Sequence, residues 1–334
     1  MLYRPLLRIV PDGTRIPFMR GRIIGLVVSA VLSVASLALA VRPGLNEGID
    51  FAGGVAMEIR ADRPVDPGPL RGALSALGLG EVGLQRFGDE TSVLLRLPAQ
   101  GGEEGTQRAA AARGALERVE PGARVVQVEA VGGRVSDELF RDGMTALGLA
   151  LLAMLLYIWA WFEWQFGVGA VATLVLDTTK VVGFLALTRI EFSLVTVAAI
   201  LTVIGYSVND KVVVYDRVRE NLRKHKTMPL RRLIDLSINE TLNRTVGTSM
   251  TILLAILPLA LFAHGALSDF ALVVLFGIAV GTSSSIFIAA PILLFLGEGR
   301  LRRGGPAVPG RPLRRPGADA AKYGPGASAG VPPP

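Results

Sequence analysis

The chain has 334 residues, of which 51% are hydrophobic and only 19% charged, with a mean hydropathy of +0.47 and a net charge of +7. That balance excludes an ordinary soluble protein and puts most of the chain in lipid, where basic residues report orientation before they report nucleic acid. With no cysteine, disulfides, iron–sulfur clusters and thiolate metal sites are excluded, and two histidines, His225 and His264, do not supply a zinc ligand set.

Residues 23–41 form an uncharged run between Arg22 and Arg42, long enough for a helix to cross a hydrocarbon core of about 30 Å. The run exceeds a usual signal-peptide core and no small-residue cleavage site follows, so it reads as a first span preceded by a cytoplasmic segment, 1–22. Residues 42–142 then change to ordinary strand and helix patterns. Strands are predicted at 55–61, 82–87, 92–97 and 124–131, with a turn at Gly88-Asp89-Glu90. Helices are predicted at 67–77, N-capped by Asp66 with Pro67 in first position, and at 103–119. The order βαββαβ is that of a ferredoxin-like domain.

From residue 143 the chain is again membrane sequence, with spans predicted at 143–162, 166–187, 192–214, 244–264 and 269–296. All three tryptophans, Trp159, Trp161 and Trp164, gather at one interface. The segment 215–243 reads as a basic loop, and 297–334, rich in Gly, Pro and Arg, as a disordered tail. With six spans, the arginines before residue 23 (Arg4, Arg8, Arg15, Arg20, Arg22), the basic loop and the basic tail all fall on one side. The positive-inside rule makes that side, and both termini, cytoplasmic, and the ferredoxin-like domain extracytoplasmic.

Three spans carry polar stripes at helical spacing: Gly169, Thr173, Asp177 and Lys180; Thr202, Tyr206 and Asp210, with Ser207 and Asn209 beside them; and Arg244, Thr248 and Thr251. Polar groups in hydrocarbon have no solvent to turn to, so these stripes are expected to face one another. Two readings stand for Asp210, an end cap four residues short of the basic loop or a buried coupling group. Asp177 with Lys180 reads as a neutralising i, i+3 pair, Lys211 as a lysine reaching toward the interface, and Arg244 equally as an anchor or a buried partner. Gly277, Gly281 and Ser285 in the last span, like Gly25, Ser29 and Ser33 in the first, make small-residue faces for close helix packing, and Pro258 is expected to kink its helix. No Walker A, G-x-S-x-G or H-E-x-x-H motif is present, and an enzyme is not expected.

Four segments carry a resemblance. Gly48-Ile-Asp-Phe-Ala-Gly-Gly54 (with Asp50, Phe51 and Gly53), Gly205-Tyr-Ser-Val-Asn-Asp210 continuing to Asp216-Arg-Val-Arg-Glu-Asn221, Thr241-Leu-Asn-Arg-Thr245, and Gly281-Thr-Ser-Ser-Ser-Ile-Phe-Ile-Ala-Ala290 resemble the SecF family of the bacterial Sec protein-export machinery. The resemblance implies half of a twelve-span RND-like unit in the inner membrane, paired with SecD and acting at the SecYEG channel on exported polypeptides. It implies drive by the proton gradient without a bound cofactor, metal or nucleic acid, with Asp210 and Arg244 in proton passage as a pair inside the bundle. Asp177 joins them as a relay candidate, supported by Asn209, Lys180, Lys211, Tyr206 and Thr248. Two departures touch that relay: Leu176 precedes Asp177 where the family often has His, and Lys211 follows Asp210 where it often has a hydroxyl residue. Half of an RND-type small-molecule exporter and a non-conducting scaffold of the Sec channel are the rival readings.

Overall fold

The structure, a computed structural model, describes residues 11, 14–77, 82–86, 90–98, 103–162 and 164–295. Arg4 and Arg8, the tip Gly88-Asp89 of the predicted turn, and the tail 297–334 lie outside the described residues.

The chain enters through a turn at Phe18–Arg20 and helix α1 (Arg22–Leu39), then a short strand β1 (Asn46–Glu47) and one helical turn α2 (Ile49–Ala52). The sheet domain follows as β2 (Gly54–Arg60), α3 (Pro67–Ser75), β3 (Gly83–Arg86), β4 (Ser92–Leu97), α4 (Glu103–Val119) and β5 (Arg124–Val131). The sheet order β3-β4-β2-β5, antiparallel throughout, is the ferredoxin-like arrangement, with the first and third of its strands, β2 and β4, at the centre. Period-two alternation sorts its faces: Val55, Met57 and Ile59 with Val93, Leu95 and Leu97 pack under Leu70, Leu74 and Leu116 of the two helices. Ala56 and Leu94 point the other way, with Ile49, toward the membrane helices. Asp66 caps α3 as its sequence predicts, its carboxylate accepting from Gly68 N–H at 3.0 Å.

The remaining helices are α5 (Gly133–Trp161), α6 (Trp164–Thr188), α7 (Leu194–Lys224), α8 (Leu230–Phe262), α9 (Ala266–Ser284) and α10 (Ala290–Phe295), with strand β6 (Glu191–Phe192) between α6 and α7 and a π-helical segment, Ser285–Ala289, joining α9 to α10. Among the described residues six helices, counting α9 to α10 as one, are long and apolar enough to cross a membrane. Helices α6, α7 and α9 form the centre, whereas α1, α5 and α8 show apolar side chains such as Val34, Leu149 and Leu261 on the outside. Small residues let the centre close: a Cβ at Gly277 would overlap Val203 of α7, one at Gly183 would overlap Ser36 of α1, and one at Gly281 would stand 3.0 Å from the Ser207 hydroxyl. Helix α8 passes through Pro258 without interruption.

The segment 215–243 is not a loop. Helix α7 continues to Lys224 and α8 already begins at Leu230, leaving a short turn between them. Leu230, Leu233, Ile234, Ile238 and Leu242 recur at helical spacing and are buried, while the arginines and lysines occupy the other faces, so an amphipathic helix carries the basic residues. Arg217 and Asn221 of α7 are bound to Glu240 of α8, each at 2.7 Å, and the entering chain is tied to the same helix by Met19 N–H to Asp235 at 2.8 Å and by Ile16 with Asn239.

Candidate functional site

Four charged side chains are buried in the bundle among the described residues: Asp177 and Lys180 on α6, Asp210 and Lys211 on α7. Three hydrogen bonds converge on Asp177 Oδ2, from Lys211 Nζ at 2.9 Å, Ser207 Oγ at 3.0 Å and Ser284 Oγ at 2.6 Å. Lys180 Nζ stands 3.7 Å from the other oxygen, Oδ1, beyond hydrogen-bond range. Asp177 therefore makes its close pair with Lys211 across two helices, and its i, i+3 partner is the more distant cation.

This corrects the reading of Lys211 as a lysine reaching for the interface: it is fully buried, and its ammonium also donates to the hydroxyl of Ser207 and, at 3.2 Å, to that of Ser284. The physical reason is the length of α7, which runs thirteen residues past Lys211 instead of ending near residue 214. Val214 and Val218 continue the buried face in that stretch and are the signal that could have shown it.

Asp210, one residue earlier, faces a different wall. It is 4% exposed, so it does not cap a helix end, and its polar neighbours are Ser285 on the π-helical segment and Thr245 on α8. Its Oδ2 has no hydrogen-bond partner among the described residues. Consecutive serines thus serve two carboxylates, Ser284 for Asp177 and Ser285 beside Asp210. The π-turn lies where Pro291 lacks the N–H that α-helical continuation needs, and π-turns are frequent at functional sites. Tyr215, wholly buried, donates to the Ala289 carbonyl in that segment at 3.1 Å.

Other residues singled out in the sequence are not gathered here. Arg244 lies on the exposed face of α8 and is not joined to Asp210, against the expected pair inside the bundle; Thr245, the next residue, is the one turned inward. Thr248 and Thr251 are exposed on the same face as Arg244, their hydroxyls bonded back to Arg244 and Gly247 carbonyls. Asn209 and Thr202 of α7 are exposed as well. Tyr206 bonds Ser249 at 2.8 Å, and Ser249 bonds Thr282 at 2.7 Å, a hydroxyl chain linking α7, α8 and α9. Gly277 and Gly281 set the approach of α9 to α7, and Ser285 is buried beside Asp210.

The glycine-rich segment after the first span is the joint between domain and membrane helices. Gly53 and Gly54 take φ of 69° and 122°, where a side chain is strained, and so turn α2 into β2. Gly48 N–H donates to Phe192 carbonyl at 2.9 Å, Phe51 packs on Phe192 and Phe140, and Asp50 Oδ2 accepts from Leu194 N–H at 2.9 Å, at the first residue of α7. Strands β1 and β6 pair in parallel, and Arg96 of β4 meets Glu191 of β6 at 2.5 Å and Asn46 at 2.9 Å. Above the joint a cleft of about 500 Å³ is lined by acidic groups including Asp50, Glu58, Glu129 and Glu191. Burial pushes the Glu191 carboxyl above the usual carboxylate range, with Arg96 opposing.

Residues 112–299 match the family model of the C-terminal region of the protein export membrane proteins SecD/SecF, and residues 38–65 match the SecD/SecF GG motif. The chain belongs to the SecD/SecF family. It is 43% identical over 288 residues to the protein translocase subunit SecF of Rickettsia rickettsii, covering 86% of this chain and 94% of the relative. It is 40% identical over 308 residues to that of Cereibacter sphaeroides, covering 90% and 94%. The crystal structure of SecDF, a translocon-associated membrane protein from Thermus thermophilus, superposes with a TM-score of 0.78 at 35% identity over 85% of this chain. That match takes up 39% of the SecDF chain, so this protein corresponds to a part of it. The glycine-rich joint is the SecD/SecF GG motif, and the helix bundle with its buried charges lies within the C-terminal SecD/SecF region.

Proposed function

We propose that this chain is the SecF subunit of a SecD–SecF complex in a bacterial cytoplasmic membrane, both termini cytoplasmic, and that it uses the proton gradient to help exported polypeptides leave the SecYEG channel. One observation carries the reading: a buried carboxylate with a free oxygen, Asp210, lies directly behind a polar stripe, Arg244, Thr248 and Thr251, that faces out of the bundle. Arg244 opens the apolar run of α8, and an arginine that faces lipid costs up to about 2.5–3.5 kcal/mol as its depth approaches the centre of a span. Such a face calls for a second membrane protein, and SecD is the partner that the family supplies. Arg244 then belongs to the contact between subunits, where it completes the surroundings of Asp210 from outside this chain's own bundle.

The mechanism starts at Asp210 Oδ2, the open acceptor. A proton arriving from the outer side neutralises the carboxylate and changes its interaction with the neighbouring Ser285 and Thr245. Helix α7 then shifts against α9 and α8. The seventeen residues from Leu194 to Asp210 are one continuous helix of about 24 Å, and its outer end is held by Asp50 of the GG segment. A small displacement at Asp210 therefore reaches the ferredoxin-like domain through a rigid rod. One proton moving with the field releases about 2.3 kcal/mol per 100 mV, enough to bias a two-state equilibrium by more than tenfold.

The test is export into membrane vesicles that contain the complex, driven by an imposed proton gradient. Asp210→Asn keeps the shape and removes the titrating group, so gradient-driven export should fall to the background seen without a gradient while assembly with SecD stays normal; Asp210→Glu should keep part of it. Undiminished export by Asp210→Asn would refute proton coupling at this residue.

A further inference from the structure

Resting on that reading of Asp210, we propose that Lys211 is a positioning residue that locks Asp177 in a permanent ion pair, removes it from the proton cycle, and fixes the helix segment that faces Asp210. The four buried charges, Asp177, Lys180, Asp210 and Lys211, sum to zero when all are ionised. They are not equivalent. The Asp177 carboxylate has two ammonium groups within 4 Å, Lys211 Nζ at 2.9 Å from Oδ2 and Lys180 Nζ at 3.7 Å from Oδ1, and its Oδ2 receives three hydrogen bonds, from Lys211, Ser207 and Ser284, while Oδ1 receives none. Asp210 Oδ2 likewise receives none, and Asp210 has no ion-pair partner within 4 Å among the described residues.

The lock joins three helices. Lys211 and Ser207 come from α7, Asp177 from α6 and Ser284 from α9, and the ammonium touches all three partners. Ser284 is the last residue of α9 before the π-helical segment, and Ser285 begins that segment next to Asp210. Holding Ser284 therefore sets where Ser285 presents itself to Asp210. When Asp210 takes a proton, the cluster is left with one positive charge in excess. Lys180, 3.7 Å from Asp177 and without a hydrogen-bond acceptor, is the looser of the two cations and the one left free to respond.

A buried pair of this kind is costly to break on one side and cheap to replace on both. In the intact complex with SecD, Lys211→Met leaves Asp177 only the looser Lys180 and should lower gradient-driven export more than tenfold, with loss of assembled complex. Lys211→Met combined with Asp177→Leu should recover assembly and bring gradient-driven export to within about threefold of the unaltered protein, still abolished by Asp210→Asn. A double variant that assembles but exports no better with a gradient than without one would overturn the proposal, because Asp177 or Lys211 would then carry the proton. The unaltered complex gives a second measurement, independent of folding. Dicyclohexylcarbodiimide attacks protonated carboxyls from the lipid phase, and peptide mapping should find its adduct on Asp210 and not on Asp177. An adduct on Asp177 would overturn the lock. An adduct on neither would count against Asp210 as the carrier, and the double variant would still decide the pair.

Discussion

The centre of the bundle and the joint beneath the ferredoxin-like domain both use charged side chains to hold helices and strands, under opposite conditions. In the bundle, Lys211 is fully buried and satisfied by Asp177 and two serines, and every neighbour is fixed by helix geometry. At the joint, the Arg96 and Glu191 side chains are each 18% exposed, on the wall of an open cleft, and hydrogen bonds to the backbone from Gly48 N–H, the Asp50 carboxylate and the Asn46 amide share the same task. A dry site depends on each group in it, whereas a wet, redundant one tolerates losses. The bundle is suited to switching on one proton, and the joint to passing a movement on without coming apart.

The largest effect should come from filling the dry centre. Gly277→Val places a branched side chain where a single Cβ already overlaps Val203, an overpacking cost of about 1–3 kcal/mol or more. Complex recovered from detergent should drop severalfold, and Gly277→Ala should lie between; normal yield for the valine variant would show that α7 and α9 are not held as closely as their packing indicates.

A smaller loss is expected where the two regions meet. Asp50→Ala removes the acceptor at the first turn of α7 and should cost about 0.5–2 kcal/mol, read as a lower melting temperature. Asp50→Asn, which keeps an acceptor oxygen, should recover most of it. Equal losses in both variants would mean that the charge of Asp50, and not its capping bond, matters.

Much of the outer domain was legible in the sequence and much of the polar centre was not, for a physical reason that particular residues show. Asp66-Pro67 marks a helix start by local chemistry alone, and the alternation of Val55, Met57 and Ile59 assigns the buried face of β2 without reference to any other segment. Lys211 and Arg244 are a different problem, because the same spacing fits a lysine at the membrane edge or in the core, and an arginine turned inward or outward. The inward position of Lys211 follows from α7 running on to Lys224, through a segment whose charge density resembles a loop. On the proposed function, the outward position of Arg244 answers to a neighbour outside this chain. Ser284 gave no sequence signal beyond its place in a serine run, and its role appears only once α6, α7 and α9 are assembled.

The smallest effect belongs to the wet joint. Because burial raises the Glu191 carboxyl above its usual range, the folded state holds that proton more tightly than the unfolded chain does. Its contribution is full below the ordinary carboxylate value and is lost as pH rises through the raised one. The melting temperature should therefore fall slightly as pH rises above the ordinary carboxylate range, and Glu191→Gln should flatten that slope. An unchanged slope in the variant would assign the pH dependence to other groups.

The most direct measurement concerns the polar face of α8, since the bundle centre is complete only if SecD covers it. A photo-cross-linking amino acid at Thr248, on the stripe with Arg244, is compared in native membranes with one at Leu152, on the exposed apolar face of α5. The Thr248 probe should join this chain to SecD in high yield and the Leu152 probe should react with lipid alone. Cross-linking to SecD from Leu152 and none from Thr248 would contradict the assignment of Arg244 to the subunit contact and, with it, the placing of Asp210 behind that contact.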